Sequence, residues 1–83
     1  FTTLPQAAAE DGALSKKHKE LMALAIGITT RCEGCIACHV QDAIQAGASH
    51  EELVETIGVA ILMGGGPAVV YGDKAYKAMQ EMM

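Results

Sequence analysis

Apolar residues recur in this chain at helical spacing, and no stretch alternates convincingly with period two. Leu21, Leu24, Ala25 and Ile28 make one stripe, and Ile36, Val40, Ala43 and Ile44 make another. Repeats of three and four residues collect side chains on one face of a helix, so the predicted class is all-α. Local end signals divide the pattern. Ser15 is placed to cap a helix from Lys16 to about Thr30, weakened at its end by the β-branched pair Thr29-Thr30. A second helix starts near Glu33 and runs to Ala46, with Gly47 where a left-handed residue closes a helix. Ser49-His50-Glu51-Glu52 spells a capping box for a third, His50 to about Met63. Gly64-Gly65-Gly66 and Pro67 then break the chain. A fourth helix, about Ala68 to Met82, carries Val69, Val70, Ala75, Tyr76, Met79 and Met82.

With 83 residues the chain holds one small domain, 1–83, in which 1–14 form an N-terminal arm. Pro5 lies in that arm, and Ala7-Ala8-Ala9 suits a brief helix ending near Gly12. A domain of this size is marginal alone, and association is a common remedy. The third helix points the same way. Ile57, Val59, Ala60, Ile61, Leu62 and Met63 are apolar nearly all round and need cover that one small domain does not provide. A homo-oligomer is expected. The six basic residues are scattered in a chain of net charge −4, which speaks against a nucleic-acid partner. The apolar runs Leu21–Ile28 and Ile57–Met63 are too short to span a membrane. The first residue is Phe1, not Met, which leaves room for a trimmed start and a lost leader.

The chemistry is concentrated in Cys32-Glu33-Gly34-Cys35-Ile36-Ala37-Cys38-His39, which holds all three cysteines. At about 100° per residue, Cys32, Cys35 and His39 share roughly a 60° sector of a helix, and Cys38 lies about 60° beyond Cys35. Three clustered cysteines are not a disulfide framework. They fit a reducing, cytoplasmic setting, where a close pair is catalytic or metal-binding. Three chemistries compete. At a helix start, free N–H groups and the dipole stabilise a thiolate, and a second thiol three residues away can resolve a sulfenic acid. His39, one turn after Cys35, could move protons for that pair. Alternatively Cys32, Cys35, Cys38 and His39 supply four zinc ligands, although structural sites usually draw on two separate segments. Cys35-Ile36-Ala37-Cys38-His39 is also a C-x-x-C-H haem-attachment pattern, against which stand the single Phe, two Tyr and absent Trp. A buried cysteine cluster with a surface histidine is the inert alternative.

Lys19–Ala25 (KELMALA), Arg31–His39 (RCEGCIACH) and Ala46–Leu53 (AGASHEEL) resemble the carboxymuconolactone decarboxylase family, in particular its alkyl hydroperoxidase D (AhpD)-like branch. The likeness runs from about Lys16 to Tyr76. Its motif is C-x-x-C, three residues, then His, with a Glu twelve residues before the first Cys. The resemblance implies a small all-α domain assembling as a homotrimer or homohexamer. It implies a thiol-dependent hydroperoxide reductase, or dithiol–disulfide oxidoreductase. Cys35 would be the peroxide-reactive thiol, Cys32 its disulfide partner and proton donor, and Glu20 and His39 the proton relay. The partners would be a hydroperoxide and an external dithiol reductant, with no cofactor and no metal. Lactone decarboxylation or a non-catalytic redox sensor on the same fold are the alternatives. The decarboxylating branch lacks the cysteine pair that this chain has. One departure is Cys38, where the family commonly has an aromatic residue. The extra thiol either fills that space or lets the disulfide shift partners.

Other candidates have plainer explanations. Lys16 and Lys17 could make Glu20 a surface ion-pair partner, but the resemblance turns it toward the cysteines. Gly27 shares a stripe with Glu20 and would let the second helix come close. His18 and His50 are expected at the surface, and Met79, Met82 and Met83 as core or interface filling. Gly64–Gly66 lacks the Lys and Ser/Thr of a phosphate-binding loop.

Overall fold

Capping chemistry decides where each helix begins. The computed structural model describes residues 7–83, so Pro5 and the rest of the arm before Ala7 lie outside the described residues. Ala7–Ala9 is helical, and the chain then bends as far as Leu14. Four helices follow, α1 Lys16–Thr29, α2 Glu33–Gln45, α3 His50–Gly64 and α4 Gly66–Met82, with no strand among the described residues. Ser15 accepts a hydrogen bond from the His18 N–H at 3.1 Å and starts α1. Ser49 and Glu52 complete the reciprocal capping box of α3.

α1 and α2 end in the same way. At the end of α2, the Ala48 N–H donates to Ala43 and the Gly47 N–H to Ile44, with Gly47 at φ 98°. At the end of α1, the Cys32 N–H donates to Gly27 and the Arg31 N–H to Ile28, with Arg31 at φ 60°. This paired pattern satisfies the last carbonyls of a helix and normally uses glycine. Arg31 adopts it at a cost of about 1–2 kcal/mol. The reversal turns the chain directly into α2.

The expected break at 64–67 is much shorter than its composition suggests. Only Gly65, at φ 72°, leaves the helical path; Gly64 ends α3 and Gly66 begins α4. Pro67 falls in the first turn of α4, where its missing N–H would have no helical partner anyway. α4 therefore starts two residues before the expected Ala68.

The core consists of Leu24, Ile28, Ile36, Val40, Leu53, Ile57 and Met79 with Ala43, Ala48, Ala60, Ala68 and Ala75. α1 packs against all three other helices, and α4 closes over α2 and α3. Both expected stripes face inward, with Leu21, Ala25 and Ile44 packed at its margin. The second half of α3 is not covered: Leu62 is 79% and Met63 78% exposed, and Val59 is exposed beside them. No described helix is long and apolar enough to cross a membrane.

Glu52 joins α3 to α1. Its carboxylate accepts from the Ser49 N–H and pairs with Lys17 Nζ at 2.9 Å. The Ser49 backbone bond first, and then Lys17, hold its carboxyl below the ordinary 4.5. A carboxyl lowered on folding adds stability that is complete above its unfolded value and fades as pH falls through the folded one. Melting temperature should therefore fall below about pH 4.5, and Glu52→Gln should flatten that fall. Equal acid slopes for the two proteins in thermal unfolding would remove Glu52 from this role.

Candidate functional site

The seam between α1 and α2 carries the reactive groups. Seven residues of helix return to almost the same direction, so Glu20 and Gly27 line one edge of α1, both buried together with Leu24 and Ile28. On α2, Cys35 and His39 stand one turn apart, about 6 Å along the axis. At the end of the seam, Gly27 sits against Cys35. A Cβ built on Gly27 would lie 3.3 Å from Cys35 Cβ and 3.7 Å from the Ile36 nitrogen. Glycine is therefore what lets the two helices approach at the cysteines.

Gly27→Ala should be nearly neutral, because about 1 kcal/mol of helix preference offsets the tight contact. Gly27→Val adds two methyl groups into the same space. It should cost about 1–3 kcal/mol in urea unfolding and push Cys35 off the seam. A fully stable valine variant would mean that the approach is not set by this residue.

Cys32 and Cys35 are joined as a disulfide, with Cα atoms 5.2 Å apart. Cys32 is the N-cap of α2 in extended conformation, and its Sγ accepts from the Cys35 N–H at 3.2 Å. Cys32 thus sits outside the regular helix, and Cys35 lies within its first turn. Both are partly buried. The N-terminal N–H groups and the dipole of α2 create a positive field at these sulfurs.

Beyond one turn of α2, His39 Nδ1 lies 2.7 Å from Glu20 Oε1. Glu20 is the one buried charged residue among those described, at 2% exposure. Its second oxygen, Oε2, accepts from Lys16 Nζ at 3.2 Å. An ionised carboxylate taken out of water is costly unless paired, and here both oxygens have partners. The two earlier explanations of Glu20 therefore coexist, since it pairs with Lys16 and also reaches across the seam to His39. A cleft of about 230 Å³ opens on this pair, lined by Ala8, Ala9, Lys19, Glu20, Ala23 and His39.

Cys38 is the free, exposed thiol. It lies 3.6 Å from Asp42 Oδ2. Burial first, then the Asp42 carboxylate and its hydrogen bond, then Glu20, push its thiol above the ordinary value. With Cys32 and Cys35 bonded to each other, a zinc set made of all three cysteines and His39 does not form in this state. His18 and His50 are exposed, bonded to Ser15 and stacked edge-on to Tyr76 respectively. Sequence reasoning anticipated the Lys16–Glu20 pair but missed the left-handed Arg31, and Asp42. Of these, only Asp42 carried a signal, its helical i,i+4 spacing from Cys38.

The architecture is shared with known proteins. A 34% identical protein from Thermotoga maritima superposes with a TM-score of 0.94, covering 99% of this chain and 84% of that one. A 48% identical carboxymuconolactone decarboxylase family protein from Legionella pneumophila gives the same TM-score over 99% of this chain and 73% of its own. An uncharacterized protein from Cupriavidus necator is 37% identical over 75 residues, 90% of this chain. The chain spans only 66% of that relative's length. The sequence profile of the carboxymuconolactone decarboxylase family matches residues 1–78. The all-α architecture, the matched residues and these relatives agree, and the chain belongs to the carboxymuconolactone decarboxylase family.

Proposed function

We propose that the protein is an AhpD-like thiol peroxidase that cycles between a Cys32–Cys35 dithiol and the disulfide. The observation that carries this reading is the disulfide at the start of α2, one helical turn from a histidine backed by a buried glutamate. The Cys35 thiolate attacks the outer oxygen of a hydroperoxide, ROOH. The O–O bond breaks, Cys35 becomes a sulfenic acid, and the leaving alkoxide takes a proton to become ROH. The Cys32 thiolate then displaces hydroxide from the sulfenic sulfur, which leaves as water after gaining a proton. An external dithiol returns two electrons and two protons, reopening the disulfide and becoming a disulfide itself. Glu20 and His39 relay the protons, giving one to the leaving alkoxide and taking one from Cys32. The assignment of attack to Cys35 and resolution to Cys32 follows the family resemblance.

Two observations support this over lactone chemistry. The cysteine pair is present, and the Thermotoga maritima relative is described in connection with an antioxidative response. The test is peroxide consumption with dithiothreitol as the reductant. Many turnovers per chain are expected. A single equivalent consumed without turnover would make the protein a sensor. A decarboxylase-type activity that survives loss of both cysteines would replace the reading.

The working form is proposed to be a homo-oligomer, a trimer or hexamer. Ile26, Val59, Leu62 and Met63 give α1 and α3 a shared apolar face, and Val69 and Val70 add another on α4, all exposed in the single chain. Contiguous exposed apolar area of this kind marks an interaction surface. Light scattering should give a multiple of the 8.7 kDa chain mass, and Leu62→Glu should reduce it. A strict monomer would overturn this part of the proposal.

A further inference from the structure

The disulfide takes Cys32 and Cys35 out of any metal site, but it leaves a different donor set intact beside them. Cys38 Sγ, a ring nitrogen of His39 and an Asp42 carboxylate oxygen all lie within 4.8 Å of one another. They come from consecutive turns of α2, so a regular helix holds their spacing. Ligand atoms around a tetrahedral zinc stand roughly 3.3–3.8 Å apart, given bond lengths of about 2.0–2.3 Å. Side-chain rotation of about an ångström therefore closes the set without moving the backbone.

We propose that Cys38, His39 and Asp42 bind a borderline-soft divalent cation, zinc being the one these donors fit. One thiolate, one imidazole and one carboxylate match zinc better than calcium or magnesium, which call for oxygen ligands. Glu20 Oε1 engages His39 Nδ1 at 2.7 Å, which leaves Nε2 as the ring nitrogen free for a metal. A carboxylate behind the ligating imidazole is the usual outer support of a zinc-binding histidine, fixing its tautomer and ring orientation. Cys38 is exposed, which gives a cation direct entry. Three protein ligands leave a fourth position for water or an exogenous ligand, as in an open zinc site. Binding releases the Cys38 proton and leaves the Cys32–Cys35 bond untouched, so no oxidant or reductant is required.

Cobalt(II) is the probe, since its thiolate complex absorbs where zinc is silent. The folded, disulfide-form protein is titrated with cobalt in a non-coordinating buffer, then with zinc as a competitor. The expected result is one cobalt per chain, with a near-ultraviolet thiolate-to-metal band that zinc abolishes. Cys38→Ser should remove the band, and Asp42→Asn should weaken binding at least about tenfold, the scale on which losing support around a metal is felt. No band at millimolar cobalt, a band that survives Cys38→Ser, or unchanged affinity in Asp42→Asn would each overturn the site. Circular dichroism on each variant confirms its fold. The readout is binding, not turnover, so its failure is distinct from any failure of the peroxidase reading.

Discussion

Cys35→Ser should abolish hydroperoxide consumption, whereas Cys32→Ser should still react once and stop with a sulfenic acid on Cys35. The two losses should differ because the proposed cycle gives the two sulfurs different work. A serine hydroxyl at 35 is not an effective nucleophile toward peroxide oxygen, so the first step is lost. Serine at 32 leaves that step in place but cannot close the disulfide, so the oxidised sulfur waits for an external thiol. Mass spectrometry after a peroxide pulse should show one added oxygen on Cys32→Ser, trapped by dimedone, and none on Cys35→Ser. The reverse pattern would exchange the roles of the two cysteines. Wild-type turnover in Cys35→Ser would end the scheme. Cys38 offers an internal check. Its raised thiol makes it a poor nucleophile near neutral pH, so it should not substitute for either partner.

The second large effect is expected at the relay. Glu20→Gln keeps the size of the side chain and its hydrogen bond to His39 but removes the carboxylate. His39→Gln removes the imidazole and keeps an amide. A general acid–base group typically contributes about 10²–10⁴-fold, and each substitution should slow the peroxide reaction by that order. The two should be strongly non-additive, because they act through one 2.7 Å contact. A structural role would behave otherwise. It would lower stability and leave the pH profile of the rate unchanged, whereas loss of a relay alters the profile in a folded protein. Rates within twofold of wild type for both variants would remove Glu20 and His39 from the chemistry.

Lys16 makes the Glu20 experiment more informative. It contacts the second carboxylate oxygen at 3.2 Å and is itself half-exposed. Lys16→Met leaves the His39 contact in place and removes only this outer charge. Its effect on the rate should be smaller than that of Glu20→Gln, since the carboxylate and its His39 contact remain and only a half-exposed charge is lost.

The helix starts were legible because capping is local chemistry: Ser15, and Ser49 with Glu52, need only a backbone N–H within three residues. Gly47 was legible for the same reason. The Gly65 link was overestimated because glycine and proline were read as breakers, although proline loses nothing in a first turn. Arg31 left no mark, since a left-handed conformation in a residue other than glycine is imposed by the chain reversal around it. The approach of Gly27 to the second helix was visible from its shared stripe with Glu20. The contact of Glu20 with His39 joins residues nineteen apart in sequence, and helical spacing within either element cannot specify it. It was anticipated only through the family motif. Asp42 shows the opposite case, because its i,i+4 relation to Cys38 was present in the sequence but was eclipsed by the more obvious C-x-x-C.

The central claim is that Cys32 and Cys35 form a working redox pair. Fully reduced protein should be exposed to a stoichiometric alkyl hydroperoxide, alkylated within seconds, and its free thiols counted by intact mass, with peptide mapping of any new bond. Dithiol chemistry predicts the fast loss of two of the three thiols, one Cys32–Cys35 bond, and an alkylated Cys38. Three free thiols in a folded, metal-free protein, or a bond drawn to Cys38 instead, would contradict it.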